Sequence, residues 1–187
     1  MNTNYSKQHL DKEDIRSVIN CLKSEYLTQG PLVQKFEKKI AKFVKSKYAV
    51  AVSSCTAGLH ISLKAIGFSS GDEIITSVIS FVSTSNISYF QNGKTKFVDI
   101  DEKTVGMNID QIEPNISRKT RAIVPVHMSG SAYNMKKIKK ISKKYKIPVI
   151  EDCAHAFGAK YSDGSMVGSC KYSDLSVFSF HPVKSMT

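Results

Sequence analysis

Three short stretches carry residues whose types and spacing suit chemistry. In "SSCTAG", residues 53–58, small and hydroxyl side chains stand where a strand-like run gives way to a helical one. Cys55, Thr56 and Ala57 would open that helix. A helix N-terminus offers unpaired N–H groups and the positive end of its dipole, so this is a natural anion site, or else an ordinary cap. In "EDCAH", Asp152 ends an apolar run and His155 follows three residues later. A buried aspartate must find hydrogen bonds or a cation. It could bind a metal, hold a ribose, pair with a protonated heterocycle, or cap the next turn. His155 could stack, donate, or pack in the core. In "SFHPVK", Ser179 ends another apolar run and Lys184 lies just beyond. A lysine held against a buried strand loses hydration, which favours the nucleophilic free amine. A plain surface lysine is the alternative in a lysine-rich chain.

The elements that must position these residues can be read from the pattern. Asp11 can cap a first helix in which Ile15, Val18, Ile19 and Leu22 recur at helical spacing. "LTQGP" breaks it. A second helix follows, with Phe36, Ile40 and Phe43 expected on its buried side. After that, strands and helices alternate. "YAVAVSS" reads as a strand and "TAGLHISLKAIG" as a helix. "EIITSV" is a strand, "FVSTSNISYFQNG" a helix, and "TKFVDID" and "RAIVPVH" are strands. Asn134 to Lys146 is a basic helix, and "IPVIED" and "DLSVFSF" are the last strands. Near-continuous apolar strands alternating with helices predict an α/β domain with a mostly parallel sheet covered on both faces.

Ligands of open α/β sheets sit beyond the C-terminal strand ends, where all three stretches fall. Together they supply an anion cradle, a buried acid and a reactive lysine. Those are the parts pyridoxal phosphate requires: a phosphate site, a partner for the pyridinium nitrogen, and a Schiff-base lysine.

Composition narrows the alternatives. The 187 residues suffice for one domain. Lys and Arg number 27 against 16 Asp and Glu, a net charge of +11 that raises a nucleic-acid reading. Much of that charge lies in "NMKKIKKISKKYK", where Met135, Ile138, Ile141 and Tyr145 mark an apolar stripe. Its seven lysines read as a solvated outer face, with no aromatics interleaved in a way that suggests base stacking. The four cysteines are scattered and form no metal-ligand or disulfide spacing. No apolar run is long enough to span a membrane, and the polar start lacks a signal peptide, so a cytoplasmic protein is expected.

"EDCAHAFGA" followed by "VGSCKYSDLSVFSFHPVKSMT" resembles the DegT/DnrJ/EryC1/StrS family of sugar aminotransferases. "SEYLTQGPLVQKFE", "AVAVSSCTAGLH", "GDEIITSVISFVSTSN", "FVDID" and "RAIVPVHMSG" match it in order, from about Tyr5 to Thr187. "LTQGP" with "FSFHPVK" is most similar to the branch that aminates C4 of a UDP-linked 4-keto-6-deoxy-N-acetylhexosamine on the way to pseudaminic acid.

The resemblance implies an aspartate aminotransferase-like large domain, three-layered α/β/α, with pyridoxal 5′-phosphate as cofactor. Lys184 would hold the cofactor covalently and later carry the substrate proton. Asp152 would pair with the pyridinium nitrogen. His155 would lie near the phenolic oxygen, and Phe81 would stack on the ring face opposite the lysine; from its local sequence alone Phe81 reads as core. Cys55, Thr56, Ala57 and Ser179 would bind at the phosphate end. Tyr5, Glu25, Tyr26, Leu27 and Thr28 would line the sugar pocket. L-glutamate would donate the amino group, leave as 2-oxoglutarate, and the keto sugar would accept it. Family members that dehydrate the sugar carry histidine in place of the lysine, so Lys184 favours amino transfer.

The family chain continues past the lysine into "TGEGG"-like residues and a C-terminal small domain, and works as a homodimer. Residues 1–187 are therefore expected to be an N-terminal segment plus most of the cofactor-binding domain, without the small domain. A sheet cut there would lose cover, so an incomplete chain is expected to be poorly soluble or inactive. A non-catalytic binding module with this fold is the other class considered.

Overall fold

The structure, a computed structural model, describes residues 9–185. Helix α1 (Lys12–Leu22) starts at Asp11, whose Oδ1 accepts the N–H groups of Glu13 and Asp14 at 2.7 and 3.0 Å. Asp14 Oδ2 accepts the Asp11 N–H in return, at 3.0 Å, completing a reciprocal capping box. Helix α2 (Pro31–Val44) begins on a proline that needs no N–H partner there. The expected burial of its apolar side is corrected: Phe36 and Phe43 stay partly exposed, and of the helix only Val44 is buried. The two rings make edge and stacking contacts instead. Phe36 meets Phe180 at 5.2 Å and Phe43 meets Phe157 at 4.9 Å between centroids. α2 thereby braces the two segments that carry Ser179 and His155.

The strand expected over residues 48–54 is not formed. The segment is extended but joins no ladder among the described residues; Val50 is 78% exposed. Its Ala51 N–H donates to Glu37 Oε1 at 2.9 Å, not to a neighbouring strand. Helix α3 (Cys55–Ala65) follows. Then come β1 (Glu73–Ser77), α4 (Val82–Tyr89) and β2 (Lys94–Val98). A short α5 (Ile112–Asn115) precedes β3 (Thr120–Val124), α6 (Met135–Tyr145), β4 (Ile150–Asp152) and β5 (Leu175–Val177).

The expected parallel sheet is present. β2, β1 and β3 pair in that order, and β4 pairs with β5, all parallel. Parallel bridges Ile123↔Val149 and Val126↔Asp152 join β3 to β4, with Asp152 N–H donating to Pro125 O and His127 N–H to Asp152 O. Alternate residues divide the core into two layers, as the two-residue strand period demands. Ile75, Ile123 and Val149 face Met135, Ile138 and Ile141 of α6. Ile74, Ala122, Val124, Ile150 and Val177 face Leu59 and Leu63 of α3 and Ile87 of α4. Gly58 lets α3 come close to β5, since a Cβ there would stand 2.7 Å from Val177 Cγ1. The lysines of α6 face outward, and three bind acids: Lys137 with Asp110, Lys139 with Asp174 at 3.7 Å, and Lys144 with Glu113 at 2.8 Å. Among the described residues no helix is long and apolar enough to cross a membrane.

Candidate active site

Strand period decides which side chains meet. On β4, Asp152 shares the α3/α4 face with Ile150, while Glu151 points to the α6 face. Asp152 is 3% exposed. Its Oδ2 accepts the Thr84 hydroxyl at 2.7 Å and its Oδ1 accepts the Ala154 N–H at 3.1 Å. Both donors are neutral, and no cation among the described residues forms an ion pair with it. A buried carboxylate so placed retains affinity for a positive charge.

Beyond β4, His155 Nδ1 faces the backbone N–H of Ser129 at 3.3 Å, and Nε2 lies 2.7 Å from Lys184 Nζ. Burial first, and the lysine charge second, hold His155 below the ordinary histidine range, with Asp152 acting against them. Burial also pushes the Cys55 thiol up to about 12; Asp152 adds to that shift and Lys184 opposes it. Both side chains thus feel Asp152 and Lys184, which places acid and amine around one space. Cys55 is a poor nucleophile there, because so little of it is thiolate near neutral pH.

α3 opens with Ser54 as N-cap, its Oγ accepting the Ala57 N–H at 3.1 Å. The backbone N–H groups of Cys55 and Thr56 have no protein acceptor among the described residues, so they are the pair left to an anion. Ser179 is half-buried two residues beyond β5, and its Oγ accepts the His181 N–H at 3.4 Å. Phe81, at the start of α4, is 65% exposed and is not the core residue its local sequence suggests. Glu25, Tyr26, Leu27 and Thr28 are exposed in the connection between α1 and α2. Among the described residues their side chains make no hydrogen bond or ring contact with Asp152, His155 or Lys184. Tyr5 lies outside the described residues.

Four participants are not evident from the sequence: Thr84, Ser129, and the paired Glu151 and His127 behind Asp152. Thr84 sits three residues after Phe81, one turn into α4, so the phase of that helix was the available signal. Thr84→Val keeps the shape and removes the donor. It should destabilise the protein by roughly 1.5–3 kcal/mol, the worth of a hydrogen bond to a charged group. Thr84→Ser should recover most of that loss, as read from urea unfolding at pH 7.

At the C-terminal edge of this parallel sheet, the anion-ready helix N-terminus, the cation-seeking buried acid and the lysine are the three parts that the expected cofactor, pyridoxal phosphate, would use. Comparison with known proteins agrees. Residues 8–187 match the model of the DegT/DnrJ/EryC1/StrS aminotransferase family, and the chain belongs to that family. It is 37% identical over 180 residues to the UDP-4-amino-4-deoxy-L-arabinose--oxoglutarate aminotransferase of Shewanella sediminis, covering 95% of this chain and 45% of that protein. Among solved structures it resembles Spr1654 of Streptococcus pneumoniae in its PLP form, with TM-score 0.95 and 26% identity over 100% of this chain and 51% of that one. It also resembles Helicobacter pylori PseC, an aminotransferase of pseudaminic acid biosynthesis, with TM-score 0.91 and 32% identity over 98% and 49%. The chain spans about half the length of the curated relatives it matches.

Proposed function

We propose that this chain binds pyridoxal phosphate and contributes the catalytic lysine of a nucleotide-sugar aminotransferase. The supporting observation is the buried Asp152, held by two neutral donors and set near the Lys184–His155 pair. Its chemistry fits a protonated pyridine nitrogen, so the residues present suit the cofactor. When bound, pyridoxal phosphate supplies the electron sink that stabilises negative charge at the substrate carbon. Asp152 would keep the proton on the ring nitrogen. The N–H groups of Cys55 and Thr56, the Thr56 hydroxyl and Ser179 would hold the phosphate, with Ala57 at the same turn. Phe81 would cover one ring face. Lys184 Nζ would carry the proton to and from the reacting carbon.

The finer reading is transfer from L-glutamate to C4 of a UDP-linked 4-keto-6-deoxy-N-acetylhexosamine, by a homodimer, with Tyr5 and Glu25 to Thr28 at the sugar pocket. The likeness to PseC and the motif "LTQGP" with "FHPVK" support it. In this reading residues 1–187 form an N-terminal segment plus most of the cofactor-binding domain. The 37% identity to the arabinose enzyme favours a second reading, in which the acceptor is a UDP-linked 4-keto-pentose.

Each acceptor can be offered to the complete gene product with glutamate and pyridoxal phosphate. Formation of 2-oxoglutarate with the 6-deoxy amino sugar is expected. Amination of the pentose alone would move the assignment to the second reading. A protein that takes up no pyridoxal phosphate would overturn both.

A further inference from the structure

We infer that the chain carries a second small-molecule site, at the edge of the sheet opposite Asp152, His155 and Lys184, and that this site takes a small organic phosphate. The strands are parallel, so their starts share one edge and their ends the other. The candidate active site uses the ends. At the starts, the turns leading into β3 and β4 enclose, with the residue after α3, a cavity of about 700 Å³. Small-molecule sites usually measure about 300–1,000 Å³.

Three cations line this cavity, Arg118, Arg121 and Lys146, and among the described residues no acid does. The acids on neighbouring segments are engaged elsewhere. Asp72 Oδ2 accepts from Arg121 Nε at 3.2 Å and from the Ser69 N–H at 2.9 Å. Glu73 binds Lys96 at 3.1 Å and accepts the Ser117 hydroxyl at 2.7 Å. Glu113 binds Lys144 at 2.8 Å. Arg118 and Lys146 are both exposed, and neither side chain makes an ion pair among the described residues. Arg121 meets Asp72 through Nε, so its two terminal nitrogens still offer N–H groups.

A concave surface lined by one sign of charge concentrates ions of the other sign. Guanidinium groups match phosphate oxygens two at a time, which makes phosphate the favoured anion. The remaining wall sets the rest of the ligand. Ile66, Ile116, Ile147 and Pro148 are buried or half-buried, and Tyr145 adds a ring. An inorganic ion would leave that apolar wall against water. A phosphate carrying a flat or apolar group would cover it.

Calorimetric titration of the complete gene product, loaded with pyridoxal phosphate and freed of excess, tests this with phenyl phosphate and inorganic phosphate as probes. Phenyl phosphate is expected to bind, and to bind more tightly than inorganic phosphate. Arg118→Glu reverses a charge in the cavity and breaks no ion pair among the described residues. It should weaken phenyl phosphate by roughly tenfold or more. Lys146→Asn removes a second charge with a residue that tolerates the left-handed φ of 56° at this position. It should weaken binding several-fold. Lys143→Glu makes a charge reversal on the exposed face of α6, outside the cavity, and should leave the affinity nearly unchanged.

Three results would each overturn the inference: no binding of phenyl phosphate, binding no tighter than that of inorganic phosphate, or equal losses in Arg118→Glu and Lys143→Glu. The site does not rest on the proposed function. A protein that takes up no pyridoxal phosphate would overturn that function and leave this titration to be read as before.

Discussion

Lys184→Ala is expected to lower amino transfer by about 10³-fold or more, since under the proposed function it removes the group that would move the proton, and positioned acid–base groups contribute roughly 10²–10⁴. The visible absorption of lysine-bound cofactor should vanish with it. A structural role for Lys184 would predict a different pattern, because the side chain is half-buried at the surface and, among the described residues, its one side-chain hydrogen-bond partner is His155. The fold should survive the change. The lysine charge is one of the two influences holding His155 low, burial being the larger. Removing that charge should therefore raise the His155 titration part of the way toward its ordinary value. Lys184→Arg separates the two effects. A guanidinium keeps the positive charge but cannot act as a nucleophilic amine. It should leave His155 low and still abolish turnover. An active Lys184→Arg enzyme would remove Lys184 from the chemistry.

How much was legible in advance follows from the distance over which each decision is made. The cap at Asp11 and the apolar stripe of α6 are local, and both read correctly from neighbouring residues. The parallel order of strands followed from their apolar runs. The segment 48–54 did not become a strand because alternating apolar residues give a propensity, whereas a ladder needs a neighbour. Ile15, Val18, Ile19 and Leu22 form the expected stripe on α1, yet all four are exposed. Periodicity tells which face seeks cover and not what covers it. Asp152, His155 and Lys184 stood out because each ends or follows a strand. Thr84 met Asp152 across 68 positions, His127 met Glu151 across 24, and Ser129 met His155 across 26. No local pattern encodes those pairings.

The second large effect is expected behind the site. Glu151 and His127 are 0% and 1% exposed, with Oε2 and Nε2 2.6 Å apart. The same Oε2 accepts the Tyr161 hydroxyl at 2.5 Å, and Oε1 accepts Ser176 Oγ at 3.3 Å. His127 follows β3, Glu151 lies on β4 and Ser176 on β5, so one carboxylate ties the C-terminal ends of three neighbouring strands. Asp152 is the next residue along β4, facing the other layer. Glu151→Ala would leave His127 and Tyr161 buried without their acceptor. Breaking such a buried pair costs roughly 3–5 kcal/mol, a large part of the roughly 5–15 kcal/mol that holds a domain folded. Glu151→Gln preserves shape and one acceptor, so it should cost less and remain measurable.

The pH dependence distinguishes charge from packing. Burial pushes the Glu151 carboxyl up, but the hydrogen bond and charge of His127, with the Tyr161 hydroxyl, outweigh it and leave a net lowering. A carboxyl that titrates lower when folded contributes stability above the unfolded value, about 4.3 for glutamate. That contribution is lost as pH falls through the folded value. Stability of the wild type to urea should therefore fall as pH drops below about 4.3, and Glu151→Gln should lack that part of the slope. Equal acid slopes in the two proteins would show that the carboxylate serves as packing alone, and that the strand ends beneath Asp152 are held by shape.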